Sequence, residues 1–212
     1  MSMKRTIHPS ILYFGTPVVV LSTRNLDGTA NLAPFSSVFW LGSQAILGLS
    51  TLSRTVENLR RTGEAVINLP SDREAGAVDR LALTTGADPV PAYKAARGYR
   101  HESGKFGIAG VSPGPTVNVD VPSIAEFPVH LEATLSAEHR LDDGLSLFVL
   151  EVCRVAVEDE LMAEGSDHRI DPDRWRQLIM SFQQFYGLGP HRLRSSALAS
   201  IPEEAYRKEA VR

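Results

Sequence analysis

The chain has 212 residues, of which 43% are hydrophobic, and its 22 Lys and Arg against 25 Asp and Glu give a net charge of -3. This near-neutral balance argues against the basic surface of a nucleic-acid-binding protein, and every apolar run is shorter than the roughly 18 residues that a membrane span requires. Because the start has no secretory leader pattern and the chain has one Cys, we expect a cytoplasmic protein that needs no disulfide.

Residues 18–35 have the pattern of a β-hairpin. Residues 18–23 are apolar and rich in β-branched side chains, the turn-forming sequence Asn-Leu-Asp-Gly follows at 25–28, and residues 29–35 continue as a second strand. Since Pro34 has no backbone N–H to donate to a sheet, we expect the second strand to lie at an edge or to be bulged there.

A second hairpin and a short helix follow. Residues 37–41 and 45–49 predict two strands joined by a turn at 41–44. The next segment predicts a helix of about three turns or fewer, with Ser53 as its N-terminal cap and Gly63 in the left-handed conformation that ends it.

The middle of the chain is irregular. Residues 65–69 predict a buried strand and residues 72–83 a second helix, but residues 84–121 contain four prolines and six glycines. A loop of this length in a compact chain is typical of a lid or a binding loop. We interpret residues 104–110 as a mobile loop within it, because their glycine spacing matches no nucleotide-binding motif.

Two further strands are predicted at 129–135 and 145–157, joined by an Asp-Gly turn at 142–144. Cys153 lies in the apolar pattern of the second strand, and we expect it to be an inert core residue. At least six strands with inserted rather than alternating helices predict a mainly β barrel or sandwich, not a parallel sheet.

The C-terminal region predicts a helix. Asp171-Pro172 has the pattern of a cap followed by proline at the first helical position, and apolar residues recur at helical spacing from Trp175 to Tyr186. Its broad aromatic face predicts packing on the barrel or on another subunit, and a polar arm follows Pro190.

Residues 31–37 place two serines directly after the proline that interrupts strand pairing. Backbone groups freed by such a break suit the donors and acceptors in the plane of a heteroaromatic ring such as a flavin. An edge strand with solvated serines is the simpler interpretation of this segment taken alone. The candidate ligand-binding residues are Asn31, Ala33, Pro34, Phe35, Ser36 and Ser37.

Four hydroxyls and a guanidinium lie where the first helix is predicted to begin. The free N–H groups and partial positive charge of a helix N-terminus attract phosphate, and a guanidinium adds charge-assisted hydrogen bonds. Ordinary capping by one hydroxyl is the alternative. The candidate residues are Ser50, Thr51, Ser53, Arg54 and Thr55.

Other catalytic chemistries find little support. There is no Gly-x-Ser-x-Gly motif, and the six His residues lack metal-ligand spacing, so a hydrolase or a dedicated metal site is disfavoured. His130 in its strand is interpreted as a structural or site-lining residue, whereas His101 and His191 lie in irregular regions and could line a pocket.

The sequence resembles the flavin reductase-like family of FMN-binding split barrels. The resemblance covers roughly residues 8 to 157 and rests on the order and spacing of segments 17–23, 31–37, 53–59, 62–69, 105–106 and 122–129. It implies a homodimer of six-stranded split β-barrels, here with inserted short helices and a C-terminal helical extension. We therefore predict a barrel domain at 1–160 and a helix and arm at 161–212.

The resemblance also implies an activity, hydride transfer from NAD(P)H to FMN, with reduced flavin passed to an acceptor or a partner monooxygenase. Residues 31–37 would line the flavin ring and residues 50–55 would hold its phosphate. His101, Lys105 and Phe106 would meet the nicotinamide. No catalytic side chain is named, because the flavin performs the chemistry. The alternatives are a non-catalytic FMN-binding electron carrier and a barrel that binds a different phosphorylated planar ligand.

Overall fold

The computed structural model describes residues 3–9, 12 and 14–189. In chain order its strands are β1 (Phe14–Pro17), β2 (Val19–Arg24), β3 (Ala30–Phe35), β4 (Val38–Leu41), β5 (Gln44–Ser50), β6 (Glu64–Leu69), β7 (Thr84–Thr85), β8 (Arg100–His101), β9 (Pro113–Gly114), β10 (Ser123–Ile124), β11 (Val129–Arg140), β12 (Leu145–Val157), β13 (Leu178–Ser181) and β14 (Gln184–Gly187). Its helices are α1 (Arg54–Thr62), α2 (Ala75–Ala82), α3 (Ala92–Ala95) and α4 (Lys105–Ala109), with 3-10 turns at Asp72–Glu74 and Asp159–Leu161. None of the helices in these residues is long and apolar enough to span a membrane.

The main sheet is antiparallel and has seven strands in the order β3-β2-β6-β11-β12-β5-β4. Side chains from β2, near one edge, and from β5, near the other, pack into one buried cluster, the first core, together with Val56 and Leu59 of α1. The sheet therefore curls around this core as a barrel. The prediction of a mainly β barrel is confirmed, although this sheet has seven strands where six were expected.

The predicted hairpins are all present. β2 pairs with β3, β4 with β5 and β11 with β12, each in antiparallel register. β3 is an edge strand of the sheet. It can therefore contain Pro34, which has no backbone N–H to donate to a further strand. The prediction for this proline is confirmed.

Helix α1 begins and ends at the predicted residues. The Ser53 hydroxyl accepts a hydrogen bond from the backbone N–H of Val56 at 3.2 Å, and Gly63 adopts φ 70° in the left-handed region. Both signals are local to the sequence, which is why they identify the helix without knowledge of the sheet.

A second core lies outside the barrel. Val20 and Leu32 of β2 and β3 pack there against Val78 and Leu81 of α2, the predicted second helix. Residues 104–110, expected as a mobile loop, instead form α4, whose Ala109 is buried in this core. The expectation was wrong because the packing of this segment against α2 is not visible in its glycine spacing.

Residues 171–187 do not form the predicted helix. β13 and β14 form a hairpin, and β13 also pairs with β1. Phe182 and Gln183 make the turn with φ values of 44° and 64°. Leu178 and Met180, two residues apart, both pack on the second core. Side chains two residues apart share one face of a strand, so the burial follows a strand and not the helical spacing of the apolar residues. The helical extension is therefore corrected to a hairpin.

The described part of the predicted 161–212 segment packs on the barrel. Leu161 is buried in the first core and Ile170 and Trp175 pack against it. The polar arm beyond Pro190, including residues 201–203, lies outside the described residues.

Cys153 is exposed, not buried in the core. Glu132 pairs with Arg154 whereas Ala133 pairs with Val152, so Cys153 is the extra residue of a β-bulge. A bulge interrupts the alternation of buried and exposed side chains along a strand. The core assignment was wrong because it assumed that this alternation is unbroken.

Candidate functional site

A cavity of about 300 Å³, the first cavity, opens between the edge of the sheet and the segment that follows α2. Both polar segments predicted from the sequence contribute to it, although one lies on β3 and the other runs from the end of β5 into α1. Its walls are residues 31–35 of β3, Gly48 and Ser50 of β5, residues 53–55 at the start of α1, and Ala82, Thr84, Thr85, Gly86, Tyr93, Lys94, Arg97, Tyr99 and Lys105.

A second cavity of about 380 Å³ adjoins the first. The two share Asn31, Arg54, Gly86 and Lys105, so these four residues form the boundary between them. The remaining walls of the second cavity are Asn25, Leu26, Asp27, Thr29, His101, Glu102 and Ser103. Together the two cavities have the size and polarity of a site for an extended polar ligand.

Arg54 is held at this boundary by two contacts. Its Nε donates a hydrogen bond to the Gly86 carbonyl oxygen at 3.0 Å, and its Nη1 pairs with the Glu57 carboxylate at 2.7 Å. No described residue accepts a hydrogen bond from its Nη2. Arg54 therefore has a fixed position and keeps donors for a ligand.

Gly86 allows Asn31 and Arg54 to lie close together at the boundary, because it has no side chain. A Cβ at this position would lie 2.6 Å from Asn31 Oδ1 and 3.1 Å from Arg54 Cγ. The Asn31 side chain in turn donates to Thr55 Oγ1 at 3.1 Å, which fixes β3 against the first turn of α1. The flavin-ring segment and the phosphate segment predicted from the sequence are thus joined by direct hydrogen bonding.

The first cavity is strongly cationic. Its charged wall residues are Arg54, Lys94, Arg97 and Lys105, and no described carboxylate forms part of its wall. The N-terminus of α1 adds the partial positive charge of a helix end. This combination suits an anion such as a phosphate.

The two lysines are desolvated to different degrees. Lys105 is 2% exposed, its Nζ donates to Thr84 Oγ1, and burial lowers its pKa to about 8. Lys94 is half-buried, its Nζ donates to Thr85 Oγ1 at 3.3 Å, and burial lowers its pKa as well. Both ammonium groups therefore lie in surroundings that disfavour an isolated charge.

Helix α3 and the residues that follow it line one side of the first cavity with side chains that were not predicted from the sequence. The Tyr93 hydroxyl lies 3.1 Å from Ser50 Oγ, Arg97 stacks on the Tyr93 ring at 5.8 Å, and Lys94 stacks on Tyr99 at 5.7 Å. The concentration of two aromatic and three basic residues within 93–100 was the signal available in the sequence.

The predicted flavin-binding residues mostly converge. The first cavity is lined by Asn31, Ala33, Pro34, Phe35, Ser50, Ser53, Arg54 and Thr55. Three others lie outside its walls. Ser37 Oγ donates to the Gly48 carbonyl oxygen at 2.7 Å, Ser36 is half-buried beside it, and Thr51 faces a shallow pocket near Arg60.

The three residues expected to contact a nicotinamide do not all line the cavities. His101 lines the second cavity and Lys105 lines both, whereas Phe106 packs against the second core. His130 contacts the Ile124 carbonyl oxygen through Nε2 at 2.7 Å, which agrees with a structural role. His191 lies outside the described residues.

Comparison with known proteins identifies the family. The model of the flavin reductase like domain matches residues 11–188. The chain belongs to this family. The match extends beyond the barrel and includes the β13–β14 hairpin, which the sequence resemblance did not cover.

Individual relatives support the same fold. YdfE of Bacillus subtilis (strain 168) is 32% identical over 185 residues, which are 87% of this chain and 89% of YdfE. Flavoredoxin of Desulfovibrio vulgaris (Miyazaki F) superposes with a TM-score of 0.77 at 20% identity, covering 93% of this chain and 99% of flavoredoxin. Nitrilotriacetate monooxygenase component B from Bacillus cereus gives 0.69 at 18% identity, covering 86% and 88%. The fold is the split barrel of the flavin reductase-like proteins.

Proposed function

We propose that the protein is an FMN-binding flavin reductase that transfers hydride from NAD(P)H to FMN bound in the first cavity. The observation that carries this proposal is the meeting of the β3 edge, the α1 N-terminus and four cations around one cavity. Family membership supports it independently, since the matching model is that of a flavin reductase like domain.

The residues present fit FMN chemically. Among the described strands β3 pairs only with β2, so its outer backbone groups are available to the donors and acceptors of a flavin ring. Arg54, together with the hydroxyls of Ser53 and Thr55, lies where a phosphate would be neutralised. A planar group with a phosphate at one end would use both features.

Bound FMN supplies the hydride acceptor, and the protein supplies binding and orientation. Arg54 and the α1 N-terminus would hold the phosphate, while residues 31–35 would orient the ring. The second cavity would receive the nicotinamide donor, with His101 and Lys105 on its walls. No side-chain acid or base is required, so we assign no catalytic residue.

The absorption spectrum of the purified protein tests cofactor and donor together. We expect a yellow protein, or one that becomes yellow with added FMN, whose flavin band is bleached anaerobically by NADH or NADPH. Steady-state oxidation of each donor with added FMN then measures turnover. Protein that binds no FMN would refute the proposal and favour a different phosphorylated planar ligand.

A non-catalytic FMN electron carrier is the second candidate, favoured by the superposition with a flavoredoxin. It predicts bound flavin that neither NADH nor NADPH reduces but that a reduced protein partner does. Conversely, a partner monooxygenase would fit the likeness to a monooxygenase component B. Transfer of reduced flavin to an oxygenase during turnover would identify such a monooxygenase partner.

A further inference from the structure

Lys105 is an unusual residue for the wall of a cavity. Its side chain is 2% exposed, yet no described carboxylate forms an ion pair with it, and its only described hydrogen-bond partner is Thr84 Oγ1. That hydroxyl already donates to the Leu81 carbonyl oxygen at 2.8 Å. An ammonium has three N–H donors, so two of them have no partner among the described residues.

The charges near Lys105 act in both directions. The Glu102 carboxylate favours the ammonium from a distance, whereas Lys94 and Arg100 carry the same charge and disfavour it. Glu102 Oε1 is itself engaged by the backbone N–H of Gly104 at 2.8 Å. A buried charge with so few partners is unfavourable for folding, and such groups are concentrated at functional sites.

We propose that Lys105 provides the positive charge that stabilises FMN after its reduction. This inference rests on the proposed function. When the nicotinamide donor gives up a hydride, it becomes NAD(P)⁺, and the flavin gains two electrons and one proton. The reduced ring therefore carries one more negative charge than the oxidised ring unless another proton is taken up. The two free N–H groups of Lys105, at the boundary of both cavities, meet this charge.

Lys105 and Arg54 would act on different charges of the flavin. The phosphate of FMN is charged in both redox states, so Arg54 would bind the oxidised and reduced forms alike. Lys105 would act on the ring, where a negative charge appears only on reduction, and it would act strongly because a desolvated ammonium is weakly screened. Lys105 would therefore raise the affinity for reduced FMN relative to oxidised FMN. This difference in affinity raises the midpoint potential of the bound flavin.

The test measures the two-electron midpoint potential of bound FMN together with the dissociation constant of oxidised FMN. We expect Lys105→Met to weaken reduced FMN at least about tenfold relative to oxidised FMN, which lowers the potential by about 30 mV or more. Lys105→Arg keeps the charge and should retain most of the potential. Lys94→Met removes a better-solvated cation from the same cavity and should change this ratio less than about twofold.

Apoprotein stability provides a readout without flavin. A functional charge that is costly to bury predicts that Lys105→Met unfolds at the same or a higher urea concentration than the wild type. Clear destabilisation together with an unchanged potential would assign Lys105 a structural role and overturn the inference. Equal weakening of both FMN forms would overturn it too, while wild-type binding and reduction of FMN would still uphold the proposed function. Wild-type protein that binds no FMN would remove both.

Discussion

At the residue scale, Arg54 is the side chain on which phosphate recognition depends. We expect Arg54→Ala to weaken FMN binding by about 1.5 to 3 kcal/mol, because a charge-assisted hydrogen bond is lost. Riboflavin lacks the phosphate and should be weakened far less. Fluorescence titration with both ligands measures the difference. Arg140→Ala, which removes an exposed pair with Asp143, is the matched control and should affect neither ligand. Equal weakening of FMN and riboflavin would mean that Arg54 does not hold the phosphate.

Glu132 is a second residue with a measurable role, here in stability. It is 2% exposed and accepts hydrogen bonds from the backbone N–H groups of Val117 and Asn118 and from Arg154. Burial alone would raise its pKa, but the hydrogen bonds from Asn118, Arg154 and Val117 outweigh burial and lower the pKa below its ordinary value of 4.5. Because the folded state favours the ionised form, this stabilisation is present above pH 4.5 and is lost as the pH falls through the lowered pKa.

We therefore expect Glu132→Gln to reduce the free energy of unfolding by about 1.5 to 3 kcal/mol at pH 7, because hydrogen bonds to a buried carboxylate are weakened, and to flatten its decline below pH 4.5. Urea denaturation at pH 7 and in steps down to acid pH measures both effects. Glu138→Gln, which removes a surface pair with Arg60, should cost less than about 1 kcal/mol. A Glu132→Gln protein that keeps the wild-type pH profile would contradict the assignment.

At the scale of elements, the hairpin β13–β14 has an unfavourable turn. Gln183 adopts φ 64°, a backbone conformation that lowers the stability of the folded state by about 1 kcal/mol for a residue with a side chain. Glycine adopts it without this steric cost. Gln183→Gly should therefore raise the free energy of unfolding by about 0.5 to 1 kcal/mol. In the control, Gln184→Gly places glycine in β14 and should lower it by a similar amount. Destabilisation by both changes would mean that the Gln183 side chain makes contacts that outweigh its backbone strain.

This turn also explains where prediction from the sequence succeeds and fails. The β2–β3 hairpin was predicted because the sequence Asn-Leu-Asp-Gly is itself typical of a turn. Helix α1 was predicted because Ser53 and Gly63 mark its two ends. The β13–β14 turn contains Phe182 and Gln183, which carry no turn signal, and the hairpin forms by pairing with β1, more than a hundred residues away. Local chemistry could therefore be predicted, whereas structure that depends on a distant partner could not.

The candidate site follows the same division. Arg54 and the hydroxyls around it were predicted because a helix N-terminus is visible in the sequence. Tyr93 and Arg97 were missed because α3 and the residues after it reach the first cavity only through the fold, where Tyr93 meets Ser50 of β5. Thus the residues at the start of α1 could be predicted from local chemistry, whereas on the long irregular connection His101 and Lys105 were predicted but Tyr93 and Arg97 were not.

At the scale of the whole molecule, the outer face of the barrel beside the first cavity is apolar. Phe39 of β4 pairs with Ile46 of β5, which pairs with Val149 of β12, so these residues form a row across three strands. Phe39 is 55% exposed and Leu41, on the same face, is 68% exposed. Gly48 follows Ile46 by two residues, so the face continues directly into the wall of the first cavity.

The family resemblance implies a homodimer, and we expect this face to be the contact between its two copies of the chain. A charge at its centre cannot be buried without a partner, so Phe39→Glu should give a monomer in sedimentation equilibrium, whereas we expect a dimer for the wild type. Since the face adjoins the first cavity, the variant should also bind FMN more weakly. Leu141→Glu changes an equally apolar side chain, 60% exposed beyond the end of β11, and should leave the dimer intact. A Phe39→Glu dimer would place the subunit contact elsewhere on the barrel, and a monomeric wild type would mean that one chain forms the FMN site by itself.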